Sequence, residues 1–220
     1  VSPTTQTFSS DSLQVITLHI TDPNGVDADS ISFAVSDSTY TINDSELNFS
    51  SDTLTFTPSS NFTEGVVGFS LISAADLFGD QLQTVISDSF TVDLSAPYIS
   101  GPQPAVGSFV SNLQPDISIM IIDSSGYIEP DSINLIVQDI SYSISDDALT
   151  WNTTDSTLTF SPAAAGITFS DGDSINVSLT AYDHIDYGSQ HQLLYEWSFG
   201  ISLGGPTAQL VSPTTQPFSS

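Results

Sequence analysis

The sequence predicts an all-β fold built from two β-sandwich domains in tandem. Three observations lead to this prediction: apolar and polar residues alternate in short runs, turn residues separate the runs, and the same order of runs occurs twice. Alternation with period two is what a strand needs when one face of its sheet is packed and the other meets water. Val, Ile, Thr, Phe and Tyr fill these runs, which favours strands over helices.

The strand patterns of the two halves correspond in order. Ile16, Leu18 and Ile20 alternate with polar residues in the first half, and Ile117, Ile119 and Ile121 do so in the second. The same correspondence continues through later runs, namely Ile31, Phe33 and Val35 with Ile133, Leu135 and Val137, and Leu54 and Phe56 with Leu158 and Phe160. Each half is therefore expected to form one sandwich of the same design.

The chain also repeats on a longer scale. Residues 1–10 (VSPTTQTFSS) return at 211–220 (VSPTTQPFSS) with nine of ten positions identical, 210 residues later. Three phenylalanines, Phe8, Phe109 and Phe218, occupy the same place in three successive copies. We therefore predict domains at 1–95 and 96–204, and a linker with the first strand of a following repeat at 205–220.

Each copy has the length of an immunoglobulin-like sandwich. The second half carries a series of short motifs in a fixed order: Ser95-Ala-Pro97, Pro104-Ala-Val-Gly107, Asp123-Ser-Ser-Gly126, Pro130-Asp-Ser-Ile133, Thr159-Phe-Ser-Pro162, Asp171-Gly172 and Ala181-Tyr-Asp183. In these motifs the chain resembles the tandem bacterial Ig-like domains of large repetitive surface and adhesin-type proteins. The resemblance implies a spacing, stiffening or adhesive role at a cell surface.

The charge composition restricts the partners. The chain has no Lys and no Arg against 26 acidic residues, which gives a formal net charge of −26. Nucleic acids and anionic membrane surfaces are bound through basic side chains, so both are excluded as expected partners. No apolar run approaches the roughly 20 residues that span a bilayer, so this segment is not expected to insert into a membrane.

Acidic residues near the predicted domain ends are candidate calcium ligands. These are Asp88 and Asp93 before the first domain boundary and Asp183 and Asp186 in a loop of the second domain. Calcium takes six to eight oxygen ligands, which carboxylates and loop carbonyls supply. A solvated acidic turn is the alternative, because Asp also favours turns through local backbone bonds. His184 and His191, with the two aspartates of the same loop, offer a second alternative, a transition-metal cluster.

The sequence carries no catalytic signature. It has no Cys, no Gly-x-Ser-x-Gly elbow and no glycine-rich phosphate loop, so we predict a non-enzyme that requires no cofactor, calcium aside. Five Asn-x-Ser/Thr sequons are candidate glycosylation sites on a secreted chain: Asn43, Asn48, Asn61, Asn152 and Asn176.

These observations favour a structural repeat of an extracellular or cell-surface filament, fibre or stalk. An adhesin module that recognises glycan or protein is the alternative. The expected partners are neighbouring copies of the chain. Val211 and Phe218 belong to a strand that would join the next copy, either because the polypeptide continues into that copy or because separate subunits exchange strands.

Overall fold

A computed structural model of the protein describes residues 1–208. The predicted inter-repeat strand with Val211 and Phe218 lies outside the described residues. Within them the chain forms two β-sandwiches, and the one helical segment is a single 3-10 turn at Pro130–Ser132. No helix in residues 1–208 is long and apolar enough to cross a membrane.

The first sandwich contains eight strands. Their bounds are β1 (Phe8–Ser9), β2 (Ile16–His19), β3 (Val26–Val35), β4 (Ser38–Tyr40), β5 (Leu47–Ser50), β6 (Thr53–Phe56), β7 (Gly65–Asp76) and β8 (Ile86–Val92). One sheet has the order β1-β8-β7-β3-β4 and the other β2-β6-β5. All neighbours are antiparallel except β1 and β8, which run parallel with Phe8 opposite Thr91.

The second sandwich contains nine strands. Their bounds are β9 (Tyr98–Gln103), β10 (Phe109–Val110), β11 (Ile117–Ile122), β12 (Asn134–Val137), β13 (Ile140–Ser143), β14 (Leu149–Asn152), β15 (Thr157–Phe160), β16 (Ser174–Tyr182) and β17 (Gln192–Ile201). The sheets are β10-β17-β16-β12-β13 and β14-β15-β11-β9. Phe109 of β10 pairs in parallel with Gly200 of β17, as Phe8 pairs with Thr91.

The strand order confirms the all-β, tandem immunoglobulin-like prediction. In the larger sheet of the first sandwich β3 lies between β7 and β4, and in that of the second sandwich β12 lies between β16 and β13. A three-stranded sheet completes the first sandwich and a four-stranded sheet completes the second. This division of strands between two packed sheets, joined by connections that cross from sheet to sheet, is the immunoglobulin arrangement.

Each sandwich has its own apolar core, formed by the alternating residues of facing strands. Phe33 and Phe90 are the largest fully buried side chains of the first core, and Phe160 and Phe199 those of the second. The strands contribute their apolar face to the core because successive side chains point to opposite sides of a sheet. Two separate cores mean that the strands of one sandwich do not depend on the other for burial.

Truncating one core phenylalanine should destabilise its own sandwich selectively. Phe160→Ala removes a fully buried ring that packs 4.5 Å from Tyr142, at an expected cost of about 3–5 kcal/mol. Both tryptophans, Trp151 and Trp197, lie in the second sandwich, so their fluorescence during urea unfolding reports that sandwich. The matched control is Phe56→Ala, which should lower the urea midpoint at which the first sandwich unfolds, as followed by far-UV circular dichroism, and leave the tryptophan midpoint unchanged. An unchanged tryptophan midpoint for Phe160→Ala would contradict the assigned core.

Candidate metal centre at the domain junction

The two sandwiches meet along the outer edge of β1. Inside the first sandwich, Asp93 N donates to Ser9 O at 2.9 Å, next to the parallel pairing of β1 with β8. On its other edge, Phe8 O accepts from Asp186 N at 2.9 Å and from Tyr187 N at 3.0 Å, and Ser10 N donates to Tyr187 O at 2.9 Å. A strand of the first sandwich is thus paired on both sides, once within its own domain and once with a loop of the next.

Aromatic packing accompanies this pairing. The ring of Phe8 lies edge-on to Tyr127, with centroids 5.5 Å apart, and edge-on to His184 at 6.3 Å. His184 stacks on Tyr127 at 4.7 Å. The hydrogen bond that His184 Nδ1 donates to Glu129 Oε2 raises the pKa of His184 above its ordinary value, and the carboxylate of Asp186 adds to the effect. Because the sequence has no Lys or Arg, His184 is one of only three side chains in it that can carry a positive charge.

Two glycines of the second sandwich allow the close approach. A Cβ on Gly188 would lie 2.2 Å from Ser10 Oγ, and the φ of +107° at Gly188 also disfavours any other residue. A Cβ on Gly126 would lie 3.0 Å from Asp93 Oδ2 and 3.4 Å from the ring of Phe8. The loops that carry these glycines are shaped to receive the end of the first sandwich.

Acidic side chains of both sandwiches and one histidine form a cluster at the junction. Asp93 and Asp183 are both 0% exposed. One donor atom from each of Asp93, Asp183 and His191 lies within 4.8 Å of the other two. His191 Nδ1 is 2.6 Å from Asp183 Oδ2, and His191 N donates to Asp183 Oδ1 at 2.7 Å. Asp183 is therefore fully engaged by a single histidine.

Asp93 of this cluster and the nearby Asp123, whose negative charge acts on Asp93, are each only half satisfied. Asp93 Oδ1 accepts from Ser95 N at 3.2 Å, and Asp123 Oδ1 accepts from Ser125 N at 2.9 Å and Gly126 N at 2.8 Å. Asp93 Oδ2 and Asp123 Oδ2 are buried and have no hydrogen-bond partner among residues 1–208. Burial raises the pKa of Asp93, and the negative charges of Asp123 and Asp183 raise it further. An unpaired buried carboxylate oxygen is costly, so the cluster is suited to a bound proton or cation.

The donor set fits a calcium ion. Calcium holds its oxygen ligands at about 2.3–2.6 Å, so two ligands of one ion can be separated by up to about 5 Å, and the separations among Asp93, Asp183 and His191 fall within that limit. Asp93 and Asp183 offer carboxylate oxygens, and Asp123, whose negative charge acts on Asp93, offers a further buried oxygen near this cluster. His191 holds Asp183 in place, and its imidazole is the one donor that would suit a transition metal better.

The structure brings some of the predicted calcium ligands together and separates others. Asp93 and Asp183 belong to the cluster. Asp186 lies at the same junction, but its Oδ2 accepts from Phe8 N at 2.8 Å and its Oδ1 lies 3.3 Å from His184 Nε2. Asp88 lies apart from the cluster, where Thr5 N and Thr5 Oγ1 donate to its Oδ1. The junction therefore uses half of the predicted set as metal-ligand candidates.

The predicted calcium ligands did not include Asp123 or His191. Asp123 had a usable signal, because it follows the buried strand β11 and aligns with Asp22 in an Asp-x-x-Gly turn of both domains. His191 entered the sequence analysis only as a ligand of the alternative transition-metal cluster, together with Asp183 of the same loop. The five sequon asparagines are all exposed, and their glycosylation stays a prediction.

Comparisons with known proteins identify no relative by sequence. No protein family and no curated protein matches the chain. Among solved structures, the insect immune protein hemolin is 14% identical, with 91% of this chain and 50% of hemolin aligned and a TM-score of 0.41. The Ig1-2 module of the Drosophila receptor tyrosine phosphatase DLAR is 13% identical over 91% of this chain and 95% of the module, with a TM-score of 0.29.

A third similar structure aligns with about half of the chain. CopC from Methylosinus trichosporium is 12% identical over 48% of this chain and 93% of CopC, with a TM-score of 0.35. Likeness at this level carries no argument about activity, ligand or partner. The immunoglobulin-like assignment therefore rests on the strand order of this chain, and the surface-protein resemblance rests on its sequence motifs.

Replacing Asp93 by Asn should stabilise the metal-free protein at neutral pH by about 1–3 kcal/mol, because the amide keeps the acceptor for Ser95 N and removes a repelled charge. The folded-state pKa of Asp93 is raised, so its destabilising effect is absent below its ordinary pKa and grows as pH rises through the raised value. The gain should therefore shrink at acidic pH. Thermal unfolding in chelator measures it, with the exposed Asp37→Asn as control. Equal melting temperatures for Asp93→Asn and wild type at neutral pH would contradict the burial of an unpaired charge.

Proposed function

We propose that this chain is a non-catalytic structural repeat of an extracellular filament or surface stalk. A tandem Ig-like pair can act as a binding or a structural module. The observation that carries the structural proposal is the recurrence of residues 1–10 at 211–220, in a chain where Ser2, Phe8 and Ser10 of this segment contact the second sandwich. The segment that recurs is the segment that joins domains, which is the property expected of a unit that repeats along a fibre.

The junction favours a rigid role. Domains in one chain move relative to each other unless their interface holds them. Here β1 is hydrogen-bonded on both edges, Ser2 Oγ lies 3.0 Å from Tyr187 OH, and Glu64 Oε1 accepts from Ser95 Oγ and from Ser125 Oγ. These contacts restrain the angle between the sandwiches more than the linker at residues 93–97 alone would do. If the angle between successive domains is restrained, a chain of repeats stays extended and resists bending.

Calcium completes this junction in our proposal. Asp93 comes from the first sandwich and Asp183 from the second, so an ion bound by both, with the nearby Asp123 of the second sandwich as a further ligand, would tie the domains together. No Lys or Arg exists to neutralise these carboxylates. Extracellular calcium modules bind with dissociation constants of roughly 10⁻⁴–10⁻³ M, and a protein outside the cell meets calcium at concentrations that such weak sites require.

The net charge of −26 fits the same role. Strong like charge keeps separate filaments apart and soluble, and divalent cations reduce its cost to the compact fold. The partners in this proposal are neighbouring copies of the chain.

Calcium should raise the stability of the chain and narrow its range of domain angles. At a calcium concentration about 100 times the dissociation constant, the expected gain is about 2.7 kcal/mol. Thermal unfolding and small-angle X-ray scattering in calcium and in chelator measure the two effects. Asp93→Asn should lose both responses, whereas Asp37→Asn should keep them. Identical unfolding and scattering curves in calcium and chelator would refute the calcium proposal. If zinc, but not calcium, stabilises the protein, and both Asp93→Asn and His191→Gln abolish that effect, the site is a transition-metal site instead.

The filament proposal is tested on the native assembly. An antibody raised against residues 1–208 should label extended structures outside the cell at a regular interval of one two-domain repeat in electron micrographs. A denaturing gel then separates the two polymer types: a very long chain indicates a continuous polypeptide, and a band near 23 kDa indicates exchanged strands. Irregular labelling of isolated globular particles would refute the filament.

A further inference from the structure

The observed junction leaves apolar side chains exposed at the two outer ends of the pair. Leu77 and Phe78 are 67% and 81% exposed in the loop after β7, at the free end of the first sandwich. Phe109 is 76% exposed on β10, at the free end of the second sandwich. Large apolar groups in such positions favour contact with another surface.

The free end of the second sandwich repeats the structure of the joined end of the first. Ser202 N donates to Val110 O at 2.9 Å, as Asp93 N donates to Ser9 O at 2.9 Å. This register places Phe109 where Phe8 stands in the first sandwich. It also aligns the linker at residues 93–97 (DLSAP) with residues 202–206 (SLGGP), which lead into the repeated segment at 211–220.

The free end of the first sandwich likewise repeats the receiving end of the second. Asp76 N donates to Asp80 O at 2.9 Å, as Asp183 N donates to His191 O at 3.3 Å. Leu77, the next residue after Asp76, therefore takes the position of His184, which packs against Phe8 at the observed junction.

We propose that Leu77 and Phe78 form the receiving surface for Phe109 of the preceding copy of this chain. The inference rests on the proposed function, because it requires that copies follow one another head to tail. The occupant is the end of the second sandwich of another copy, in the orientation that the observed junction defines. There, Phe109 would contact Leu77 and Phe78, whereas Phe8 contacts Tyr127 and His184 at the observed junction.

This second junction lacks the carboxylate cluster. Ser202 stands in the position of Asp93. Asp76, in the position of Asp183, is already satisfied, because its Oδ1 accepts from Phe78 N at 2.9 Å and Asp80 N at 2.8 Å and its Oδ2 from Asn24 Nδ2 at 3.2 Å. The junction between copies is therefore apolar and independent of calcium. Two kinds of junction alternate along the polymer.

Disulfide trapping in a duplicated chain tests the surface. Residues 1–210 are followed by a second copy of residues 1–220, with Phe109→Cys in the first copy and Leu77→Cys in the second. The natural sequence has no Cys, so each added thiol is unique. Under a glutathione buffer, the internal disulfide should form at least about tenfold faster than in a control that pairs Ile140→Cys of the first copy with the same Leu77→Cys, because docking raises the local thiol concentration. Phe109→Cys with Phe78→Cys is the second test pair, which guards against one poorly aimed thiol.

The rate should be the same in calcium and in chelator. Rates equal to the control for both test pairs would overturn the receiving surface, and a rate that requires calcium would overturn the apolar character of this junction. The duplicated chain separates this inference from the filament proposal. If the disulfide fails to form faster than in the control while native filaments are labelled at a regular interval, the receiving surface is rejected and the filament stands. If the native particles are globular, the filament is rejected, and the disulfide rates still decide whether Phe109 can dock on Leu77 and Phe78.

Discussion

The complete lack of Lys and Arg is the constraint on which the rest of this molecule depends. A carboxylate that leaves water here can be satisfied only by amides, hydroxyls, histidine or a bound proton or cation. Asp76 uses backbone amides and Asn24, and Asp183 uses His191. Asp93 and Asp123 each keep one buried oxygen without a partner. The carboxylate of Asp76 is therefore satisfied within its own loop, whereas the carboxylates of Asp93 and Asp123 at the domain junction are not.

The junction is built from an ordinary feature of the sandwich. The short first strand of an Ig-like sheet lies at the edge, where its outer backbone groups need partners. In this chain the loop around Asp186 and Tyr187 supplies those partners to Phe8 from the next domain. Burial of the edge by a neighbouring domain satisfies the strand and aligns the two sandwiches at once. The same contact brings Asp93 to the carboxylates of the second sandwich.

In the proposed fibre, a repeat length of two domains follows from the difference between the two ends of the pair. The second sandwich receives Phe8 with Tyr127 and a protonatable His184, while the first presents Leu77 in the corresponding place. If every domain had the same ends, a period of one domain would suffice. Two unlike junctions require the pair as the smallest unit that can be copied. A fibre of this kind would combine contacts that respond to cations with contacts that do not.

The sequence by itself determined the strands, the two cores and the equivalence of Phe8 and Phe109, because alternation and turn chemistry are local and occur twice. It also indicated Asp93 and Asp183 as members of a site. Only the tertiary structure separated Asp88 from that site, placed His191 beside both Asp93 and Asp183, and brought Asp123 close enough for its charge to act on Asp93. These side chains are distant in sequence and belong to two domains. Their proximity depends on how β1 docks against the next sandwich, and no local pattern encodes the relative placement of two separately folded cores.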